Sequence, residues 1–211
     1  MANVASPYGL RPVNLIGGQS FAGQFREYKV SATNAAAIYN GDLVVLAAGQ
    51  PAAVAATPVA GTTFGIVGVC VGVRYVMPGT KQPMYAQYLP VGAVAAGYTD
   101  VYVRVVDDPD ALFQVQGNAA FGTLGGGTNG SGWPAAVGRN STLIYTTAGS
   151  NTTGNSGVSV NVGSGGTGLV TTVNLAVRVV DVVEGTESDL YPDLIVKLNH
   201  GIHSYYATTG V

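Results

Sequence analysis

The run "GIVGVCVGVRYV" at 65–76 limits the fold more than any other stretch of the chain. Side chains of a β-strand alternate between its two faces, so Val67, Val69, Val71 and Val73 are predicted to share one face and Gly68, Cys70 and Gly72 the other. A β-branched face backed by a small one suits a central strand that its neighbours approach closely on the small side.

The same period of two returns elsewhere. The pentapeptide "VRVVD" occurs at 103–107 and again at 177–181, each time followed by an acidic, proline-containing turn and another apolar run. In the first copy Val101, Val103 and Val105 point one way and Tyr102 and Arg104 the other. In the second, Val173, Leu175, Val177 and Val179 oppose Asn174 and Arg178. The return segments alternate too, with Phe113 and Val115 against Gln114 and Gln116, and Leu194, Val196 and Leu198 against Ile195, Lys197 and Asn199. Each copy is therefore predicted to be a hairpin with one wet face. Asp107-Asp108-Pro109-Asp110 has turn chemistry, because Asp side chains bond nearby backbone N–H groups and Pro presets φ.

Around these runs the chain reads as strands and turns. Asn40-Gly41 is a turn signal before "DLVVLAAG", and "MYAQYL" at 84–89, set between Pro83 and Pro90, suits a short edge strand. Residues 1–26 hold Pro7, Pro12 and four glycines with no sustained period, which predicts an extended arm. Residues 119–168 are rich in Gly, Ser, Thr and Asn; "STLIYTT" and "VSVNV" are short strands within them, with Phe121 and Trp133 as anchors. The expected fold is all-β, a barrel or sandwich of antiparallel strands. It comprises an extended N-terminal arm, 1–26, and a single β domain, 27–211, with 119–168 as a loop-rich insertion.

Composition narrows the partners. Charged residues make up 9% of the chain, against about 25% in an ordinary soluble domain. A surface so poor in charge is weakly protected against association, so much of it is expected to be covered in a homo-oligomer. The net charge is −2 and the nine Lys and Arg are scattered singly, which argues against nucleic acid as a partner. No apolar run approaches the roughly 20 residues of a membrane-spanning helix, so no membrane role is expected. The start "MANVASPYGLRP" lacks the basic and apolar regions of a signal peptide, and synthesis in the cytoplasm is expected. The single cysteine, Cys70, allows no intrachain disulfide.

Candidate chemistry is sparse. Asp107, Asp108 and Asp110, and then Asp181, Glu184, Glu187 and Asp189, supply carboxylates, but neither set matches the spacing of a calcium loop, and both read as solvated turns. His200 and His203 in "HGIH" have no third zinc ligand in a suitable context. Cys70 sits mid-strand among valines, the setting of a small buried hydrophobe. The glycine-rich "GTLGGGTNGSG" and "GSGGTG" lack the lysine and the strand-to-helix context of a phosphate loop. No enzyme, no cofactor and no metal site is expected.

Four stretches carry a resemblance: "MANVASPYGLRPVNLIGG"; "YNGDLVVLAAGQPAAVAA" followed by "GIVGVCVGVRYV"; "VGRNSTLIYTTAGSNTTGNSGVSVN"; and the closing "LAVRVVDVVEG…YPDLIVKLNHGIHSYY". Together the chain resembles virion structural proteins of tailed bacteriophages, of the capsid-decoration (cement) type. That resemblance implies a protein on the capsid surface that binds the major capsid protein and holds neighbouring subunits together. It also implies a trimer, and no catalytic residues. The other expectation is a receptor-binding or adhesin-type virion module. In the arm, Tyr8, Leu10, Leu15, Ile16, Phe21 and Phe25 have no local way to be buried and are the expected capsid contacts. The alternative is that the arm folds back as the first strand of its own domain.

Overall fold

A computed structural model describes residues 4–47, 50–53, 65–122, 132–164, 168–171, 175–199 and 203. The fold is all-β, of antiparallel strands in the barrel-or-sandwich class. A five-stranded sheet runs β1 (Arg11–Leu15), β10 (Ala111–Gln116), β15 (Asp193–Leu198), β14 (Val177–Val182) and β11 (Asn140–Ser141). A six-stranded sheet runs β2 (Arg26–Lys29), β9 (Thr99–Val106), β6 (Ile66–Val76), β4 (Leu43–Ala47) and β5 (Gln50–Ala53), with β7 (Pro83–Ala86) also paired to β6. Two small ribbons complete it: β3 (Ile38–Tyr39) with β8 (Tyr88–Leu89), and β12 (Leu143–Tyr145) with β13 (Val158–Val160). A four-residue helix, α1, spans Trp133–Ala136.

Two hydrophobic cores result, and β6 contributes to both. The larger holds Leu10, Ile66, Val69, Phe113, Phe121, Leu143, Val179, Leu194 and Val196 among others; the second holds Ile38, Val44, Val67, Cys70, Val73, Leu89 and Val103. Fully burying each such side chain stabilises the fold by about 1.5–3 kcal/mol.

The valines of β6 do not share one face as simple alternation predicts. Val69 packs in the larger core while Val67 and Val73 pack in the second. Two extra residues explain this. Val44 pairs with Gly68 and Val45 with Ile66, leaving Val67 unpaired; Cys70 pairs with Val105 and Gly72 with Arg104, leaving Val71 unpaired. Each bulge reverses the parity of the residues beyond it.

Only the second VRVVD is a hairpin. β14 and β15 pair directly, with Val177 opposite Leu198 and Val179 opposite Val196. The first is not: β9 pairs with β2 and β6, whereas β10 pairs with β1 and β15. Asp107–Asp110 is thus a corner that carries the chain from one sheet to the other. Its carboxylates tie both sheets down: Asp107 accepts the hydroxyl of Tyr28 at 2.6 Å and pairs with Arg26 at 3.1 Å on β2, and Asp110 pairs with Lys197 of β15 at 2.6 Å. Asp108 Oδ1 accepts the backbone N–H of Asp110 at 2.8 Å, the turn chemistry expected of this tetrapeptide.

The boundaries of the arm and the insertion also need correction. Residues 11–15 are not outside the domain but form β1, against β10. The reason is local as well as tertiary. Gly9, with φ +76°, approaches Gly41 so closely that a Cβ on either would meet backbone of the other at 2.8–2.9 Å, and Leu10 N donates to Gly41 O at 3.1 Å. That approach drops Leu10, fully buried, into the larger core. Likewise 119–168 is not peripheral, since Phe121, Leu143, Val158, Val160 and Val162 belong to the same core and Trp133 packs against it. Gln116, predicted to face water, is buried because it binds the incoming chain: its Oε1 accepts Ser6 N at 2.9 Å and its Nε2 donates to Val4 O at 3.3 Å.

Candidate interaction surface

One face of the six-stranded sheet packs in the second core, through Val44, Val67, Cys70, Val73, Val101, Val103 and Val105. Its other face meets the larger core at Leu43, Ile66, Val69 and Val106, with Val45 and Val71 packed alongside. The remaining part carries two cross-strand rows. In the first, Lys29, Tyr102, Arg74 and Tyr85 lie opposite one another on β2, β9, β6 and β7. In the second, Glu27 lies opposite Arg104, which lies opposite Gly72.

These side chains brace one another. Glu27 accepts from Arg74 at 3.2 Å through one oxygen and from Arg104 at 3.3 Å through the other. Desolvation alone would raise the Glu27 pKa, but the two guanidinium hydrogen bonds outweigh it and hold it below the usual carboxylate value. The hydrogen bond to Glu27 in turn raises the Arg74 pKa. Arg74 also lies 4.5 Å from the Tyr102 ring centre, and Arg104 lies 4.8 Å from that of Phe25 and 4.7 Å from that of Tyr85. The guanidinium planes are thus fixed beside rings, a geometry lysine cannot reproduce. Phe25 and Tyr85 remain 46% and 63% exposed. One carboxylate is thus shared by two arginines, with exposed rings around them.

The six arm residues separate into three groups. Leu10 is core. Leu15 and Phe21 are half-buried against the larger core, and Tyr8 donates its hydroxyl to Asp193 Oδ1 at 2.9 Å. Ile16 and Phe25 remain exposed. They flank the acidic corner: Ile16 N donates to Asp110 O at 2.9 Å, and Phe25 precedes Arg26, which pairs with Asp107. Leu10 is therefore withdrawn as a surface contact, because no part of it reaches the surface.

A second polar cluster is internal. Asp42, 1% exposed, accepts the hydroxyls of Ser156 at 2.5 Å and Tyr145 at 3.0 Å on Oδ1, and the backbone N–H of Tyr39 at 2.7 Å on Oδ2. Burial raises its pKa, against the opposing effect of those hydrogen bonds. It also raises that of the Tyr145 phenol, with the nearby Asp42 charge adding to the effect. A cleft of about 430 Å³ borders the cluster, lined in part by Ala36, Tyr39, Tyr145 and Thr147. With three donors converging on it, Asp42 clasps the β3–β4 turn to the 143–160 ribbon.

The other sequence candidates are not brought together. Cys70 is fully buried, and desolvation pushes its thiol pKa up to about 12. His203 is buried beside β6, bridged to Ile66, while His200 lies outside the described residues. Among the described residues, no three His, Cys, Asp or Glu side chains are grouped to hold a metal ion. The sequence reading missed both Asp42 and the ladder. The ladder left one signal, Arg104 and Tyr102 on the wet side of β9; Asp42 left none beyond its place after Asn40-Gly41. No protein-family model, curated protein or solved structure matches the chain.

Proposed function

We propose that this chain is a virion structural protein of the capsid-decoration type. In this reading it binds the outside of a phage head and stabilises contacts between subunits of the major capsid protein. The observation that carries the reading is the exposed Phe25–Arg104–Tyr85 group on a rigid sheet face. Arg and aromatic residues are enriched at the cores of protein interfaces and supply most of their anchors. Bracing by Glu27 reduces the side-chain entropy lost on docking. Ile16, bonded through its backbone to the acidic corner, is a further exposed apolar side chain. The low charge of the whole chain fits a surface that is covered in an assembly.

Copy number in purified particles tests the proposal. A decoration protein occurs in hundreds of copies spread over the shell, and the Phe25→Ala/Tyr85→Ala variant is expected to stay folded and lose particle binding. A few copies at a tail or vertex would replace this reading with a receptor-binding module. Undiminished binding by the double variant would remove the sheet face from it.

A further inference from the structure

The docking face is cationic as well as aromatic. Lys29, Arg74 and Arg104 stand against one carboxylate, Glu27, on its two rows. The chain carries only 11 acidic residues, and four of them, Asp181, Glu184, Glu187 and Asp189, fall within nine positions around the β14–β15 connection. Among the described residues no cation lies within ion-pairing distance of these four. The loop is ordered by its own hydrogen bonds. Thr186 N donates to Val183 O at 3.1 Å, Asp189 N to Thr186 O at 3.0 Å, and Asp193 N to Thr186 Oγ1 at 3.1 Å. Glu187 Oε2 accepts Gly185 N at 2.8 Å. On this scaffold Leu190 is displayed 55% exposed beside Asp189.

Loop and face adjoin opposite ends of β10. Asp193, at the base of the loop, pairs with Gln116 at the far end of β10, while Ala111 begins β10 next to the Asp107–Asp110 corner that Arg26 and the face adjoin. Five residue steps of β10 set the base of the loop about 17 Å from the start of that strand, at roughly 3.4 Å each. We infer that the Arg74–Arg104 face receives the acidic β14–β15 loop of a second copy of this chain, with Leu190 seated among the exposed rings and Glu184, Glu187 and Asp189 facing the cations. This rests on the reading of the face as a protein-docking surface and names a second copy as its occupant; loss of particle binding by Phe25→Ala/Tyr85→Ala then follows from loss of assembly. Face and loop are different patches, so the contact is heterologous: it closes into a ring or runs on as a filament, according to the rotation between copies.

Charge inversion of the full-length chain tests the inference by light scattering and sedimentation velocity, without particles. One variant inverts the loop (Glu184→Lys/Glu187→Lys/Asp189→Lys). The other inverts the face with its internal pairs kept (Glu27→Lys/Lys29→Glu/Arg74→Glu/Arg104→Glu). Near-UV circular dichroism checks that each is folded, and the loop variant, which changes no core residue, is decisive if the face variant is not. The wild type is expected to self-associate, at least ten-fold more weakly when salt rises from about 50 to about 500 mM. Each variant alone is expected to be monomeric. An equal mixture of the two is expected to reassemble, because each then offers the charge the other's face or loop requires. A monomeric wild type overturns the inference, as does association of the loop variant at wild-type strength, or a mixture of folded variants that stays monomeric. If in those cases the wild type still binds particles through Phe25 and Tyr85, the docking face stands and only its occupant is wrong.

Discussion

Tyr145 donates its hydroxyl to Asp42 across 103 positions of sequence, at 3.0 Å, and both groups are withdrawn from water. Asp42→Ala leaves that hydroxyl, the Ser156 hydroxyl and the Tyr39 N–H without their acceptor. Each unsatisfied buried donor costs about 1–3 kcal/mol, so a loss of roughly 3 kcal/mol or more in urea unfolding is expected. The pH dependence has a defined sign. Burial raises the Asp42 pKa in the folded state, so its contribution is fully present below the unfolded value, about 3.9. That contribution is lost as pH rises through the raised folded value. The stability of wild type minus that of Asp42→Asn should therefore fall over this interval; a rise would contradict the assignment.

At Gly68 the backbone of β6 lies directly against that of β9. A Cβ there would stand 2.0 Å from the Val106 carbonyl oxygen and 2.8 Å from its carbon, both backbone atoms that cannot swing aside. Gly68→Ala must open the sheet between the two cores. A loss of about 3 kcal/mol or more, or failure to fold, is expected from strain of this kind. Gly79→Ala, which meets nothing within 4 Å, should stay within about 0.5 kcal/mol of wild type in the same thermal melts.

These two sites show what the sequence could and could not disclose. Alternation located β9, β10, β14 and β15, because burial on one face imposes a period of two wherever the strand is regular. It did not say which strands pair. Val101–Val106 and Ala111–Gln116 look like the arms of a hairpin, and only Asp107's ties to β2 and Asp110's to β15 show a corner. Alternation also fails across bulges, so Val67 and Val69 appear to share a face that they do not. Asp42 follows Asn40-Gly41 and resembles any turn carboxylate, since the residues that bury it arrive from more than 100 positions away. Arg104 was visible as an outward residue, but its Glu27 and Tyr85 neighbours come from strand order, which the sequence does not display.

The thiol of Cys70 should be silent in the folded chain. It is fully buried between two sheet strands, donates to Gly72 O at 3.6 Å, and has its pKa pushed up to about 12 by desolvation, so almost no thiolate is present near neutral pH. Reaction with a disulfide reagent should be negligible until denaturant is added, then proceed to the single thiol of the chain. Rapid labelling under native conditions would show that β6 opens locally.

The N-terminal segment offers the sharpest separation between packing and docking. Leu10 is fully buried and Ile16 is 51% exposed, although the two lie six positions apart in a stretch of similar composition. Leu10→Ala should destabilise the fold by about 2–5 kcal/mol, the cost of removing a buried leucine and leaving a cavity. Ile16→Ala should change stability by no more than about 0.5 kcal/mol. Removal of residues 1–15 deletes β1, the Leu10 contact and the bonds from Val4 and Ser6 to Gln116, which leaves the edge of β10 bare. That truncation should lower the melting temperature sharply or abolish folding, not release a soluble domain that has lost only an anchor. Particle binding then has to be read from Ile16→Ala and Phe25→Ala. Both are expected to melt like the wild type, and a reduced occupancy for either would place the exposed end of this segment in the docked surface.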